Sequence, residues 1–141
     1  MCLVTALPVS AQGNNNQTHI ISGQIRINKP IYLREGGNCD PEKYEGLENL
    51  VTGNVSLTVE NGKREIIAIQ ELESGKYQYQ TGGLFVNFFT NKPAICVVKI
   101  PEFQVPDANF YSFKIPGKRE VNYSKQQLQE MGWNLELMIG Y

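Results

Sequence analysis

Few side chains in this sequence are equipped for acid–base or nucleophilic chemistry. His19 is the single histidine, and Asp40 and Asp107 are the two aspartates. A histidine titrates near neutral pH and serves as a general base when a carboxylate orients it. His19, however, adjoins the polar run GNNNQT and reads as a surface residue. Glutamates are spread along the chain, and the paired carboxylates that hydrolyse glycosides converge from distant strands, so no spacing betrays them. An exported hydrolase with carboxylates meeting only in three dimensions therefore stands as an alternative function. Gly36-Gly37 and Gly82-Gly83 lack the Lys-Ser/Thr that completes a phosphate cradle and read as turns. The Asp and Asn spacing of a calcium loop is missing as well. No motif implies a metal or a cofactor, and no residue is nominated as catalytic.

The three cysteines divide unequally. Residues 1–11 begin with a short apolar run and end in Val9-Ser10-Ala11, the small-x-small pattern of a signal-peptidase site. Cys2 precedes that cut, leaving Cys39 and Cys96 in an exported chain, where an even count suits a disulfide. Neither belongs to a CxxC or Cys/His cluster, so zinc and thioredoxin-like chemistry lack their spacing. The expected destination is secreted or periplasmic, and no later segment approaches the ~20 apolar residues that span a bilayer. A net charge of −1 offers no broad positive field for nucleic acid.

Binding is the more natural use of such a chain. Tyr44, Tyr77 and Tyr79 fall in turn-rich segments, where exposed rings stack on sugars or grip peptides. They are the candidate binding residues, with an unknown protein, peptide or glycan as partner. A carbohydrate-binding module using these tyrosines is a further alternative. Asn16, Asn54 and Asn122 each open an Asn-x-Ser/Thr sequon.

The elements that must position these residues are mostly strands. Ile21, Ile25 and Ile27 alternate with Ser22, Gln24 and Arg26 as in a half-buried strand. Val55, Leu57 and Val59 lead into Asn61-Gly62, the preferred pair for a two-residue type I′ hairpin. That turn would set Val55 opposite Ala68 and Leu57 opposite Ile66, with Ile67 and Ile69 on the other surface. LFVNFF over 84–89 reads as a buried strand. Cys96, Val98 and Ile100 share one side of the next, and Tyr111, Phe113 and Ile115 one side of another. Ser124 and Gln127 form a capping box with Gly132 as the stop, which predicts one short helix. Trp133, Leu135, Leu137 and Ile139 then alternate as a final strand. The expected fold is an all-β antiparallel sandwich, immunoglobulin-like or transthyretin-like in outline, with that helix before the last strand. Residues 1–11 form the leader, 12–18 a polar linker and 19–141 the single domain.

The second half also carries a resemblance. Cys96 opens an apolar strand, followed by Val105-Pro106, Phe110-Tyr111, Gly117, Arg119-Glu120, Tyr123-Ser124, Leu128, Gly132-Trp133, Leu135, Leu137 and Gly140. This series resembles a group of exported bacterial proteins, many of them lipoproteins, that lack an assigned activity. Their chains end in YS-x-x-x-L followed by GW and alternating apolar residues. The group's GGY-D-D loop after the first cysteine is here Asp40 to Tyr44, and residues 75–92 look like an insertion. The resemblance implies an exported, disulfide-linked β domain. It implies structural roles for Arg119, Glu120, Tyr123, Ser124, Gly132 and Trp133, with Arg119 and Glu120 expected to pair and fix the last turn.

Overall fold

The computed structural model describes residues 17–80 and 92–140. The leader, most of the linker, the 84–89 run and the sequon at Asn16 lie outside the described residues. The strands are β1 (Thr18–Leu33), β2 (Ser56–Asn61), β3 (Ile66–Glu71), β4 (Lys76–Tyr79), β5 (Lys92–Pro106), β6 (Phe110–Lys114), β7 (Val121–Ser124) and β8 (Asn134–Gly140). Two helices join them, α1 (Glu48–Val51) and α2 (Lys125–Glu130), with one 3-10 turn at Pro41–Lys43. The strands form two four-stranded sheets, ordered β8-β1-β5-β4 and β3-β2-β6-β7, packed as a sandwich. The alternation read from sequence sets which side chains enter it: Ile21, Ile25, Ile27, Val98, Ile100, Tyr111, Phe113 and Leu135 are at most 1% exposed. Each aliphatic chain so buried contributes about 1.5–3 kcal/mol relative to exposure.

One pairing departs from the antiparallel expectation. β8 lies parallel to β1, with Asn134 opposite Ser22 and Gly140 opposite Asn28. The chain arrives there from β7 of the other sheet through α2, so no hairpin sets its direction. α2 has the expected capping box: Ser124 Oγ accepts from the Gln127 N–H at 3.1 Å, and the Gln127 side chain accepts from the Ser124 N–H at 2.8 Å. Gly23 makes the β8 docking possible, because a Cβ there would stand 2.1 Å from the Leu135 carbonyl oxygen.

The β2–β3 hairpin also differs from its reading. Arg64, not Gly62, takes the left-handed conformation at φ 65°. Asn61 Oδ1 accepts from the backbone N–H groups of Lys63 and Glu65, at 2.9 and 3.0 Å, and so draws the turn around itself. A three-residue loop replaces the type I′ turn. Val59 then faces Ala68, and Leu57 faces Gln70 in place of Ile66. The slip is even, so Leu57, Val59 and Ala68 keep the expected surface, but the bulge between Val59 and Glu60 exchanges the surfaces of Ile66 and Ile67. Ile67 packs against the core, whereas Ile66 and Ile69 are 60% and 62% exposed.

The sandwich has two lateral seams. At the one beside β3 and β4 the chain itself crosses between sheets over residues 72–75, tied by Leu72 N–H to Val55 O (3.3 Å), Glu73 N–H to Lys99 O (3.3 Å) and Gly75 N–H to Val51 O (2.7 Å). The disulfide Cys39–Cys96 sits against this crossover, with its Cα atoms 5.9 Å apart. A Cβ on Gly75 would lie 2.5 Å from Cys96 Sγ and 3.1 Å from Cys39 Sγ. The loop that carries Cys39 contributes Tyr44, Leu47, Leu50 and Val51 to the core, all at most 4% exposed. The bond spans 57 residues of chain, which corresponds to about 4 kcal/mol of loop-closure entropy in the unfolded state. The paired substitution Cys39→Ala and Cys96→Ala is expected to lower the urea unfolding free energy by about that amount. A loss under about 1 kcal/mol would contradict this role.

Candidate functional site

One gathering of ionisable groups lies where β5 turns into β6. Tyr111, fully buried, donates its phenolic hydrogen to Pro106 O and accepts from the Ala108 N–H, both at 2.8 Å. Burial pushes its pKa up to about 12, the nearby Asp107 charge adding to the rise and the Ala108 contact opposing it. The corner so fixed aims Asp107 at two partners. His19 Nε2 and Lys125 Nζ each lie 2.7 Å from the same Asp107 oxygen, Oδ1. Gly132 and Trp133 are both left-handed, at φ 67° and 60°, a conformation that is uncommon outside glycine. The turn swings the indole face onto the His19 ring, 4.0 Å between centroids at an 8° tilt, and against Tyr111 edge-on at 5.9 Å.

His19 is therefore not the loose surface residue expected from its polar neighbours. Its side chain is 10% exposed, and its partner Asp107 is 88 residues away in sequence. The arrangement links the start of β1, the β5–β6 corner, the start of α2 and the start of β8. Its chemistry is that of a partly exposed clasp: a carboxylate with 29% side-chain exposure, shared by two cationic or hydrogen-bonding groups, one of which, His19, is stacked against an indole. The His19 and Lys125 contacts hold the Asp107 carboxyl below the usual carboxylate range. A depressed folded-state pKa contributes stability above the unfolded value, and that contribution is lost as pH falls through the folded value. Asp107→Asn is thus expected to lower the melting temperature at neutral pH, with the gap to the parent protein closing below about pH 4. A gap that is constant across that range would overturn the assignment.

The candidate tyrosines are placed differently from one another. Tyr44 is 0% exposed, so it is core and no platform for a ligand. Its apolar surroundings come from the Cys39 loop folding inward, a tertiary event that the turn-rich sequence around it does not encode. Tyr77 is half-buried in β4, 6.4 Å from the Tyr44 ring, and its hydroxyl accepts from the Asp40 N–H at 3.2 Å. Tyr79 is also half-buried, with Lys92 Nζ 5.6 Å from its ring centroid. Among the described residues, the rings that face outward are Tyr32 and Phe110, at 65% and 60% exposure. Sequence reasoning passed over both, because an aromatic at a strand position reads as core until its face is known.

Arg119 and Glu120 do not form the expected pair. Glu120 instead receives both hydrogen bonds of Arg64 Nη1, at 3.0 and 2.7 Å. That contact holds the Glu120 carboxyl below its ordinary range and raises Arg64. The left-handed Arg64 at the hairpin tip supplies the reach. Arg119 is exposed. Asn122 accepts from Ser112 Oγ across β6 and β7 at 2.5 Å, and Asn54 is exposed beside α1.

Two of the surface hollows among the described residues bear on the choice of partner. The outer face of the β8-β1-β5-β4 sheet carries a shallow open hollow of about 900 Å³, edged by Glu73, Glu102 and Glu136 with Lys76 and Lys99. Glu136 accepts from Gln24 Nε2 at 3.1 Å there. The second is the seam between β7 and β8. α2 and Trp133 close its end near Asp107, with Leu128 fully buried. Its other end stays open as a groove of about 320 Å³ floored by Phe113, Val121, Leu137 and Ile139, with Lys118 and Arg119 at the mouth. Among the described residues no cluster of His, Cys, Asp and Glu is placed to hold a metal, and no helix is long and apolar enough to cross a membrane.

The fold and these surfaces define a disulfide-linked, two-sheet β-sandwich. No protein-family description, curated protein or solved structure matches the chain.

Proposed function

We propose that this is an extracytoplasmic, disulfide-stapled domain of the cell envelope or secretome that acts by binding and not by catalysis. The observation that carries the reading is the unclosed end of the β7–β8 seam. There an apolar floor that belongs to the core meets solvent between two strands, each paired on one side only among the described residues. Such a groove buries a partner's apolar surface without any rearrangement of the sandwich. The signal-peptidase pattern before residue 12, the resemblance to exported bacterial proteins and the Cys39–Cys96 disulfide support the extracytoplasmic half of the reading.

The groove is expected to take up the apolar dye anilinonaphthalene sulfonate in the oxidised native protein. Ile139→Lys should abolish the fluorescence gain while the far-ultraviolet circular dichroism stays unchanged. A native protein that does not bind the dye, or a folded Ile139→Lys protein that binds it equally, would sink the binding reading. Export is checked separately by non-reducing peptide mapping of the fractionated protein. Free thiols at Cys39 and Cys96 outside the cytosol would contradict it.

The hydrolase alternative keeps one specific support, the three glutamates around the 900 Å³ hollow. It requires turnover of a chromogenic glycoside that disappears in the Glu102→Gln, Glu136→Gln double variant.

A further inference from the structure

We infer that the open end of the β7–β8 seam takes an extended segment of another protein, apolar residues alternating with acidic ones, added as a new strand beside β8. This rests on the reading of the seam as the binding surface and names the class of partner. Three separate features of the groove converge on it.

The first is the main chain. β8 pairs with β1 along Asn134–Gly140 and with no other described strand, so its outer edge offers unpaired N–H and C=O groups. Its sequence NLELMIG has one charge, Glu136, and neither the lysine nor the proline that commonly guards an edge. Met138 stands 61% exposed on it. A strand added there extends the sheet to five, the mode by which many domains capture extended peptides.

The second is the side-chain period. Residues of an added strand alternate between faces. Those pointing inward drop onto Phe113, Val121 and Ile139, and those pointing outward meet water. An apolar residue at every second position satisfies the groove. β3, an edge of the second sheet on which Ile66 and Ile69 are exposed, has no such floor, because the 72–75 crossover fills the seam beside it.

The third is charge. Lys118 and Arg119 are exposed at the mouth, and neither meets a carboxylate within ion-pair distance among the described residues. Glu120, which would otherwise offset them, is engaged by Arg64. The mouth is therefore cationic and favours acidic residues beside the apolar ones.

The test uses the full oxidised protein labelled with nitrogen-15 and a short synthetic peptide in which valine and isoleucine alternate with glutamate. Saturable shift changes are expected at Val121 and from Leu137 to Gly140. The counterpart peptide with lysine for glutamate should bind roughly fivefold more weakly or not at all. Because Lys118 and Arg119 are exposed, the Lys118→Glu, Arg119→Glu variant keeps the fold and should reverse that preference. Methylating alternate peptide nitrogens should abolish binding, as strand addition requires. The inference is overturned if neither peptide binds, if both bind alike, if the methylated peptide binds, or if the shifts map to β3. It is equally overturned if β8 amides are protected by self-association in sedimentation runs without peptide. Dye uptake by the same protein separates the two readings: a dye-filled groove that rejects the peptide ends the partner class alone, and loss of both ends the binding reading too.

Discussion

The covalent link between Cys39 and Cys96 is the constraint around which the sandwich is organised. Three parts of the chain meet there: a loop with little regular structure, the central strand β5, and the crossover that carries the chain from one sheet to the other. Gly75 lets the crossover backbone lie directly on the sulfurs, a position any larger residue would contest. Without the link, the Cys39 loop would have to be ordered mainly by burying Tyr44, Leu47, Leu50 and Val51. Those residues close the floor of the core only when the loop returns to β5, and a return over so many residues is entropically costly in a free chain. One lateral seam is sealed by this junction. The opposite seam has only α2 and Trp133 at one end and stays open at the other.

Much of this was legible because the strands alternate. The inward sets on β1, β5, β6 and β8 follow period-2 patterning, and the capping box at Ser124 located α2 to within a residue. Local chemistry of this kind survives tertiary assembly, since its partners lie within a few residues. The parallel direction of β8 was not legible. It depends on an arch from one sheet to the other, and the strand's own pattern is the same in either direction. The hairpin failed for a related reason: Asn61 has both a turn-forming backbone preference and a side chain that caps N–H groups, and the cap won.

The candidate site was less visible still. His19, Asp107, Lys125 and Trp133 come from four separate elements, and nothing in their spacing announces that His19 and Lys125 share one oxygen of Asp107. Tyr44 was chosen for its turn-rich surroundings, which is the property that lets a loop fold inward as readily as outward. Glu120 was matched with its sequence neighbour, although adjacent residues on an extended chain point apart and a hairpin tip reaches it from the next strand but one. The groove is a property of what α2 leaves uncovered. It becomes apparent only when both sheets are in place.

The parallel pairing of β8 with β1 has a directional consequence. Seven residues of matched strand run the same way from Asn134 to Gly140, about 23 Å at the usual rise. The chain enters the sandwich at Thr18, beside the Asp107 clasp, and leaves β8 at the far end, where the groove opens. The Asp107 clasp and the groove therefore lie at opposite ends of the same parallel strand pair, separated by the length of β8.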